Sequence, residues 1–348
     1  MRFATYNVEW FNALFDDDGA LLDDGEWSAR YDVTRRDQLA ALGIVFTALD
    51  ADAILVVEAP DESHHRQTVH ALETFAEAVG IRARKALLGF ANDTQQELAL
   101  LYDPDVLTCA HDPKGAPTGQ KGSPDAPRFD GVFRIDLDID ATEDKVRFSK
   151  PPLEVAIQTS SGVSLRLIGA HLKSKAPHGA KDRDDAMRIG ISNRRKQQAQ
   201  AVWLRRRIET HIGAEDSLIL LGDLNDGPGL DAYEALFGRS SVEIIMGDGS
   251  ESAHRLYDPH AKRALTRRMG PVATTARFYI KDEDRYLQAL LDYIMVSPDL
   301  RARSPKCLIW HPFDDPKCWT TPELREALIT ASDHFPVTMD IDLDDEPS

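Results

Sequence analysis

The chain has 348 residues, 41 of them Lys or Arg and 58 Asp or Glu, for a formal net charge of −17. Hydrophobic residues at 42% and charged residues at 28% exclude collagen-like, coiled-coil and wholly disordered chains, and leave a globular protein with core enough to need no staple. Strong acidity also argues against non-specific adhesion to nucleic acid or anionic membranes.

The first predicted element is an alternating strand over residues 3–8, closed by Glu9. A helix over 34–49 carries Leu39, Leu42, Ile44, Val45 and Leu49, and the buried strand 53–57 that follows ends in Glu58. A second helix, 70–79, places Leu72, Phe75, Ala76 and Val79 at three-to-four spacing. Residues 108–128 are rich in Pro, Gly and Lys and read as a surface loop. The strand 165–170 ends in His171, a helix follows over 195–212, and the strand 218–222 ends in Asp223. After the turn Asp226-Gly-Pro-Gly229 come a short helix over 231–237 and an irregular region over 246–275. Asp292 sits within the apolar run 290–294, and Ser332-Asp-His334 precedes a last strand, 335–341. The expected domain is single, spanning 1–340, with a solvated acidic tail at 341–348.

Cys109, Cys307 and Cys318 are odd in number and lack CxxC spacing, so neither a disulfide framework nor a zinc site is indicated. No leader-like apolar segment follows Met1, and the longest apolar runs fall far short of a membrane span, so a cytoplasmic protein is expected. The sequence carries no signal of oligomeric state.

Short apolar strands interleaved with amphipathic helices give an α/β fold, because buried strands need cover on both faces. Asn7 and Glu9, and again Asp223 and Asn225, are two apart and leave one face of a strand. Any one polar residue at a strand end is ordinarily a solvated end. Seven or eight, all carboxylate, amide or imidazole, are better explained by a hard-cation site for Mg²⁺ or Mn²⁺, since unpaired charges beside buried strands are costly.

Thr5-Tyr-Asn-Val-Glu9, Val57-Glu58, Gly169-Ala-His-Leu172, Gly222-Asp-Leu-Asn225, Leu291-Asp-Tyr-Ile294 and Ser332-Asp-His-Phe-Pro336 resemble, in order, the motifs of the endonuclease/exonuclease/phosphatase superfamily. The resemblance implies a four-layer α/β sandwich, two mixed β-sheets packed face to face with helices outside. It implies metal binding at Asn7 and Glu58, with Glu9 and Asp333 as further metal-side carboxylates. It also implies Asp223 as the group that orients or deprotonates the attacking water, Asn225 as the phosphate- or nucleophile-holding amide, and His334 with its partner Asp292. His171 corresponds to a phosphate-contacting histidine that apurinic-site endonucleases lack at this motif, which implies a place outside that branch, and Thr5-Tyr-Asn-Val-Glu9 with His171-Leu-Lys-Ser-Lys175 resembles bacterial nuclease-like members. Lys150-Pro-Pro-Leu153 resembles an Arg-Pro-Pro-Leu element of those members, and Glu97 is expected to partner His171.

The implied activity is metal-dependent hydrolysis of a phosphoester. Nucleic acid is the first substrate class and a small-molecule or lipid-headgroup phosphoester the alternative. A non-enzymatic scaffold is disfavoured because every catalytic position is filled. Lys173 and Lys175 are expected to face a phosphate together. The basic stretch from Arg188 to Arg207 reads either as a solvated helix face or as a phosphate contact through Arg194. Trp10, Trp27 and Trp203 are candidates for stacking on bases, with core packing as the default. His64, His65, His70, His254 and His260 read as surface or loop residues.

Overall fold

A computed structural model describes residues 1–92, 94, 96–137, 143–177, 179–227, 238–266, 272–280 and 284–344. Its elements in order are β1 (Arg2–Asn7), α1 (Arg35–Leu49), β2 (Ala53–Ala59), α2 (Thr68–Val79), β3 (Lys85–Leu88), β4 (Glu97–Tyr102), β5 (Leu107–His111), β6 (Phe133–Ile135), β7 (Asp144–Val146), β8 (Leu153–Thr159) and β9 (Ser164–His171). There follow α3 (Arg183–Gly213), β10 (Leu218–Asp223), α4 (Ser241–Met246), α5 (Pro259–Thr266), β11 (Ala276–Ile280), β12 (Arg285–Ala289), β13 (Asp292–Val296), α6 (Pro298–Ala302), β14 (Lys306–Ile309), α7 (Pro316–Thr320), α8 (Pro322–Ala331) and β15 (Val337–Asp340).

The strands form a six-stranded sheet, β14-β15-β1-β2-β4-β3, and a five-stranded sheet, β13-β10-β9-β8-β5. Both are mixed: β1 runs parallel to β2 and β9 parallel to β10, and the other pairs are antiparallel. Period-two alternation sorts their side chains. Tyr6, Ile54 and Val56 face outward onto Leu42, Phe46, Phe75 and Leu328 of α1, α2 and α8. Phe3, Leu55 and Val57 face inward and join the core with Leu153, Leu167 and Ile219 of the second sheet. The expected α/β sandwich of two face-to-face mixed sheets is the observed one.

Two glycines set the closeness of this packing. A Cβ on Gly169 would lie 2.4 Å from Leu55 Cδ1, so the sheets touch there only because the side chain is absent. Gly222, at φ 132°, would drive a Cβ to 2.0 Å from the Ala170 carbonyl oxygen.

Local signals explain the helix ends. The Thr34 side chain accepts from the Asp37 amide at the start of α1, and Gly80 closes α2 in a left-handed conformation. The structure departs from expectation in four places. The region read as irregular over 246–275 holds the helix α5 (Pro259–Thr266). The loop predicted from residue 108 begins later, because Leu107–His111 pairs with β8 as an edge strand free of Gly and Pro. The helix predicted from 195 starts at Arg183, capped by Asp182, since its first turns are polar and carry no apolar stripe. The predicted solvated tail is not solvated at its start: Ile341 and Leu343 continue the alternation of β15 into the core, and the Ile341 amide bonds the Met1 carbonyl at 2.9 Å. The predicted helix 231–237 lies outside the described residues. No helix among the described residues is long and apolar enough to cross a membrane.

Candidate active site

Register brings the polar strand ends together. Asp223 is paired with His171 across β9–β10 and with Asp292 across β10–β13, so the three side chains leave neighbouring positions on the same, inward face. Asn7 ends β1 on the inward face of the opposite sheet, and Ser332, in the segment that leads into β15, donates its hydroxyl to the Asn7 carbonyl at 2.8 Å. Glu58 lies at a bulge in β2, where the register with β4 shifts between Val57 and Ala59, and it adopts φ 61°. Bulges re-aim side chains and left-handed backbone at a non-glycine residue is costly, so the fold holds Glu58 toward the rim against its intrinsic preference. Asn225, just past β10, is likewise left-handed at φ 49°.

The result is a buried polar cluster between the two sheets. Asn7 Nδ2 donates to Asp223 Oδ2 at 3.1 Å, and the Asn225 amide N donates to Asp223 Oδ1 at 2.7 Å. His334 Nδ1 lies 2.8 Å from Asp292 Oδ2, and its Nε2 lies 4.0 Å from Asp223 Oδ2. His171 Nε2 is 3.6 Å from Asp223 and 3.9 Å from Glu58. Three buried atoms of this cluster, Asn7 Oδ1, Asp292 Oδ1 and His171 Nδ1, have no hydrogen-bond partner among the described residues. Buried polar atoms are ordinarily satisfied, so orphans gathered in one place mark where something else binds.

The protonation states follow from these neighbours. Burial pushes Asp223 up to about 7, and the adjacent Asp292 adds to the effect while His334 opposes it. Glu58 is raised by burial, against the charges of Lys150 and His334. His334 is raised well above its ordinary value: burial opposes the shift, but Asp292, Asp223 and Asp333 overcome it, so the ring is cationic. His171 goes the other way. Burial and then the charges of Lys150, His334 and Lys173 push it well below its ordinary value and leave it neutral.

The sequence matches the Endonuclease/Exonuclease/phosphatase family over residues 4–334. The chain belongs to this family. Among solved structures it is similar to an AP endonuclease from Archaeoglobus fulgidus, at 13% identity and a TM-score of 0.51, over 99% of this chain and 100% of that one. It is also similar to the 3′ phosphatase NExo from Neisseria bound to a product DNA hairpin (15%, TM-score 0.49, 98% and 99% covered). A third likeness is to TDP2 from Caenorhabditis elegans (12%, TM-score 0.48, 97% and 74% covered). At that identity the first of these likenesses shows the fold alone. A search of curated protein sequences found no match.

Of the residues singled out in this family member's sequence, Asn7, Glu58, His171, Asp223, Asn225, Asp292 and His334 come together at one rim. Asp333 stands beside them, near enough for its charge to raise both Glu9 and His334. Glu9 is engaged on both oxygens, by Arg30 and by the Trp10 indole at 3.0 Å. Burial and Asp333 still push it up to about 7.

The predicted phosphate-facing pair separates. Lys175 Nζ donates to Asp226 at 2.5 Å, and Arg194, 2% exposed, lies 3.3 Å from the same carboxylate. Both charges are therefore met inside the protein. Residues 172–177 form no strand, so alternation does not put Lys173 and Lys175 on one face. Lys173 has no carboxylate partner among the described residues.

The basic stretch is mixed: Arg188, Lys196 and Arg206 are exposed, whereas Arg194, Arg205 and Arg207 are buried and paired inside the protein. Arg207 donates to Glu154 at 2.6 Å and to the carbonyls of Ala126 and Pro127. Arg205 holds Glu209 and the carbonyls of Ile245 and His254, and Arg195 pairs with Asp144. These arginines clamp loops onto α3.

Glu97 does not partner His171; it binds Asn92 and the Glu62 amide. Its neighbour Gln96 faces the rim instead and donates to Glu58 Oε2 at 2.6 Å. Lys150 was visible in the sequence only as the start of a Pro-Pro element. Half-buried, it is drawn toward the charges of Glu58 and Asp223, while burial lowers its pKa. Trp203 is core, whereas Trp10 and Trp27 are exposed.

Proposed function

We propose that this rim hydrolyses phosphodiesters of nucleic acid by attack of an activated water, within a single catalytic unit formed by both sheets. The observation that carries the reading is the buried His334–Asp292 pair facing Asp223 across 4.0 Å. A cation and a near-neutral base confront each other there, in a space that excludes bulk water.

Asp223, at about 7, takes a proton from water near neutral pH. Asn225 and Asn7 hold its two oxygens and so fix the direction of the free lone pairs. His334, kept cationic by Asp292, places a fixed positive charge where phosphoryl oxygens gain negative charge in the transition state. Lys150 adds a second positive charge on the same side, and neutral His171 offers a ring nitrogen as a hydrogen-bonding group.

The donor set fits Mg²⁺ or Mn²⁺: oxygen ligands, an orphaned amide oxygen on Asn7, and no thiolate at the rim. Asn7 and Glu58 would hold the ion, with Asp333 and Glu9 contributing charge nearby. When bound, it supplies charge neutralisation at the phosphate oxygens. Asp223, Asp292 and His334 bring ligand atoms within 4.8 Å of one another. That trio is less suited to an ion, because His334 is a cation already engaged by Asp292.

The test is hydrolysis of plasmid DNA, bis(p-nitrophenyl) phosphate and p-nitrophenyl phosphate in Mg²⁺, Mn²⁺ or EDTA, beside Asp223→Ala and His334→Ala. Metal-dependent plasmid cleavage that both substitutions abolish is the expected result. Turnover of the small esters with plasmid left intact would move the substrate to small-molecule or headgroup phosphoesters. No turnover of any ester would overturn the hydrolase reading.

A further inference from the structure

The hairpin β11–β12 lies against the catalytic rim. Ala276 is bridged to His334, the Arg277 amide donates to the Asp333 carbonyl at 2.8 Å, and the Phe278 ring packs 5.4 Å from the His334 ring. Alternation turns Phe278 inward and puts Arg277 and Tyr279 on the outer face, where Tyr286 stands directly across from Tyr279.

That outer face is a row of exposed rings threaded by a cation. The Tyr279 and Tyr286 centroids are 5.2 Å apart. The Arg277 guanidinium lies 3.7 Å from the Tyr286 ring centre and 5.3 Å from that of Phe313, in the segment after β14. Phe313 in turn neighbours Trp319 at 6.4 Å. Tyr279, Tyr286 and Trp319 are each about half exposed, at 54%, 51% and 51%. Large aromatic side chains are normally buried, so several side by side next to an active rim mark a binding surface.

Arg277 has no carboxylate partner among the described residues, and its buried Nε has no acceptor. In a chain of net charge −17 an uncompensated guanidinium is unexpected. Stacking between two rings fixes its plane and leaves its outer N–H groups for an anion.

We propose that this row is a platform for an unpaired nucleic-acid strand, with a phosphate at Arg277 and bases stacked on Tyr279, Tyr286 and Trp319. The proposal rests on the nucleic-acid reading of the rim and narrows it. A duplex keeps its base faces inside its own stack and presents phosphates at twice the linear density of a single strand to a strongly acidic protein. A single strand offers the faces that such rings bind, without regard to sequence.

The experiment is fluorescence anisotropy in EDTA, so that binding is read without turnover. Oligo(dT) and oligo(rU) of about ten nucleotides, sized to a typical single-strand site, are compared with a blunt DNA duplex of equal length. Both single strands are expected to bind at least about tenfold more tightly than the duplex. Tyr286→Ala is expected to weaken single-strand binding about tenfold, and Tyr286→Phe to restore it. Arg277→Gln is expected to weaken binding and lower the log–log salt slope by about one.

Equal binding of single strand and duplex, or a Tyr286→Ala protein that binds like the unaltered one, overturns the platform. Ester hydrolysis by the unaltered protein, measured alongside, separates the two readings. Turnover without single-strand preference leaves the rim and removes the platform; preference without turnover does the reverse.

Discussion

The rim and the inner side of α3 both bury charge, and they treat it in opposite ways. Along α3, Arg194, Arg205 and Arg207 each reach a carboxylate or a set of carbonyls, and the Glu154 and Asp226 carboxylates they meet show matching bonds. At the rim, Glu58, Asp223, Asp292 and Asp333 crowd around one cationic histidine, several pKa values are displaced, and three buried atoms have no partner among the described residues. Both regions set carboxylates beside a buried cation. Completed pairs hold loops in place, whereas an incomplete set stores unfavourable interactions that a substrate or cation relieves.

Substitution should therefore separate chemistry from stability. Asp223→Asn is expected to lower turnover of bis(p-nitrophenyl) phosphate by on the order of 10²–10⁴, the usual worth of a positioned general base. Its melting temperature should hold or rise, because one of several like charges is removed. Arg207→Ala should do the reverse. It strips the buried partner from Glu154 and from two loop carbonyls, a loss of about 3–5 kcal/mol for a broken buried pair, with turnover per folded molecule retained. Urea unfolding and ester hydrolysis on both variants check this. If Asp223→Asn destabilises as much as Arg207→Ala, the contrast between the two regions is lost.

A pH scan of metal-free protein sharpens the same contrast. Glu9 and Asp223 sit at about 7, above ordinary carboxylate values, so the folded state binds their protons more tightly than the unfolded chain does. Their contribution is present in full below about pH 4 and is lost as pH rises through about 7. His334, raised well above its ordinary value, acts in the same direction. Asp112, Asp185 and Asp340 are held low mainly by their ion pairs and withdraw support only at more acid pH. In EDTA the protein should melt several degrees lower at about pH 8 than at about pH 5.5, and Mg²⁺ should recover most of the difference. A melting temperature that climbs with pH in EDTA would contradict the rim's charge balance.

How much of this was legible in the sequence depends on period. Strands read well, because 53–57 and 218–222 are continuous apolar runs and 165–170 is broken only by Arg166, and each one's terminal Glu58, His171 or Asp223 falls where the sheets end. Register could not be read: only the folded sheets put Asp223 beside both His171 and Asp292. The carboxylates near His171 are Glu58 and Asp223 rather than the expected Glu97, which pairs with Ala59 past the bulge at Glu58 and binds Asn92. The arginines of α3 looked like surface charge because their partners, Glu154, Asp144 and the carbonyls at 126–127 and 245, lie in distant parts of the chain. Long-range ion pairs leave no local signature. The aromatic row was missed for the same reason, since β11, β12 and the segment at 313–319 meet only in the fold.

The smallest effect divides two lysines that the sequence treated as equals. Lys173 is lowered by burial and by the nearby charge of Lys196, and no carboxylate meets it among the described residues. Its ammonium therefore has a favourable interaction to gain from a phosphate. Lys175 is already bonded to Asp226, which also accepts from Arg194 and from the amides of Gly227 and Ser241. Lys173→Met should raise KM on a nucleic-acid substrate a few-fold and lower the salt slope by about one, with no change in melting temperature. Lys175→Met should leave the salt slope intact and lower the melting temperature, since Asp226 keeps its burial and loses a neutralising partner. Salt titrations of both variants decide the matter: an equal fall in slope would put Lys175 on the substrate after all and make its bond to Asp226 a resting-state contact.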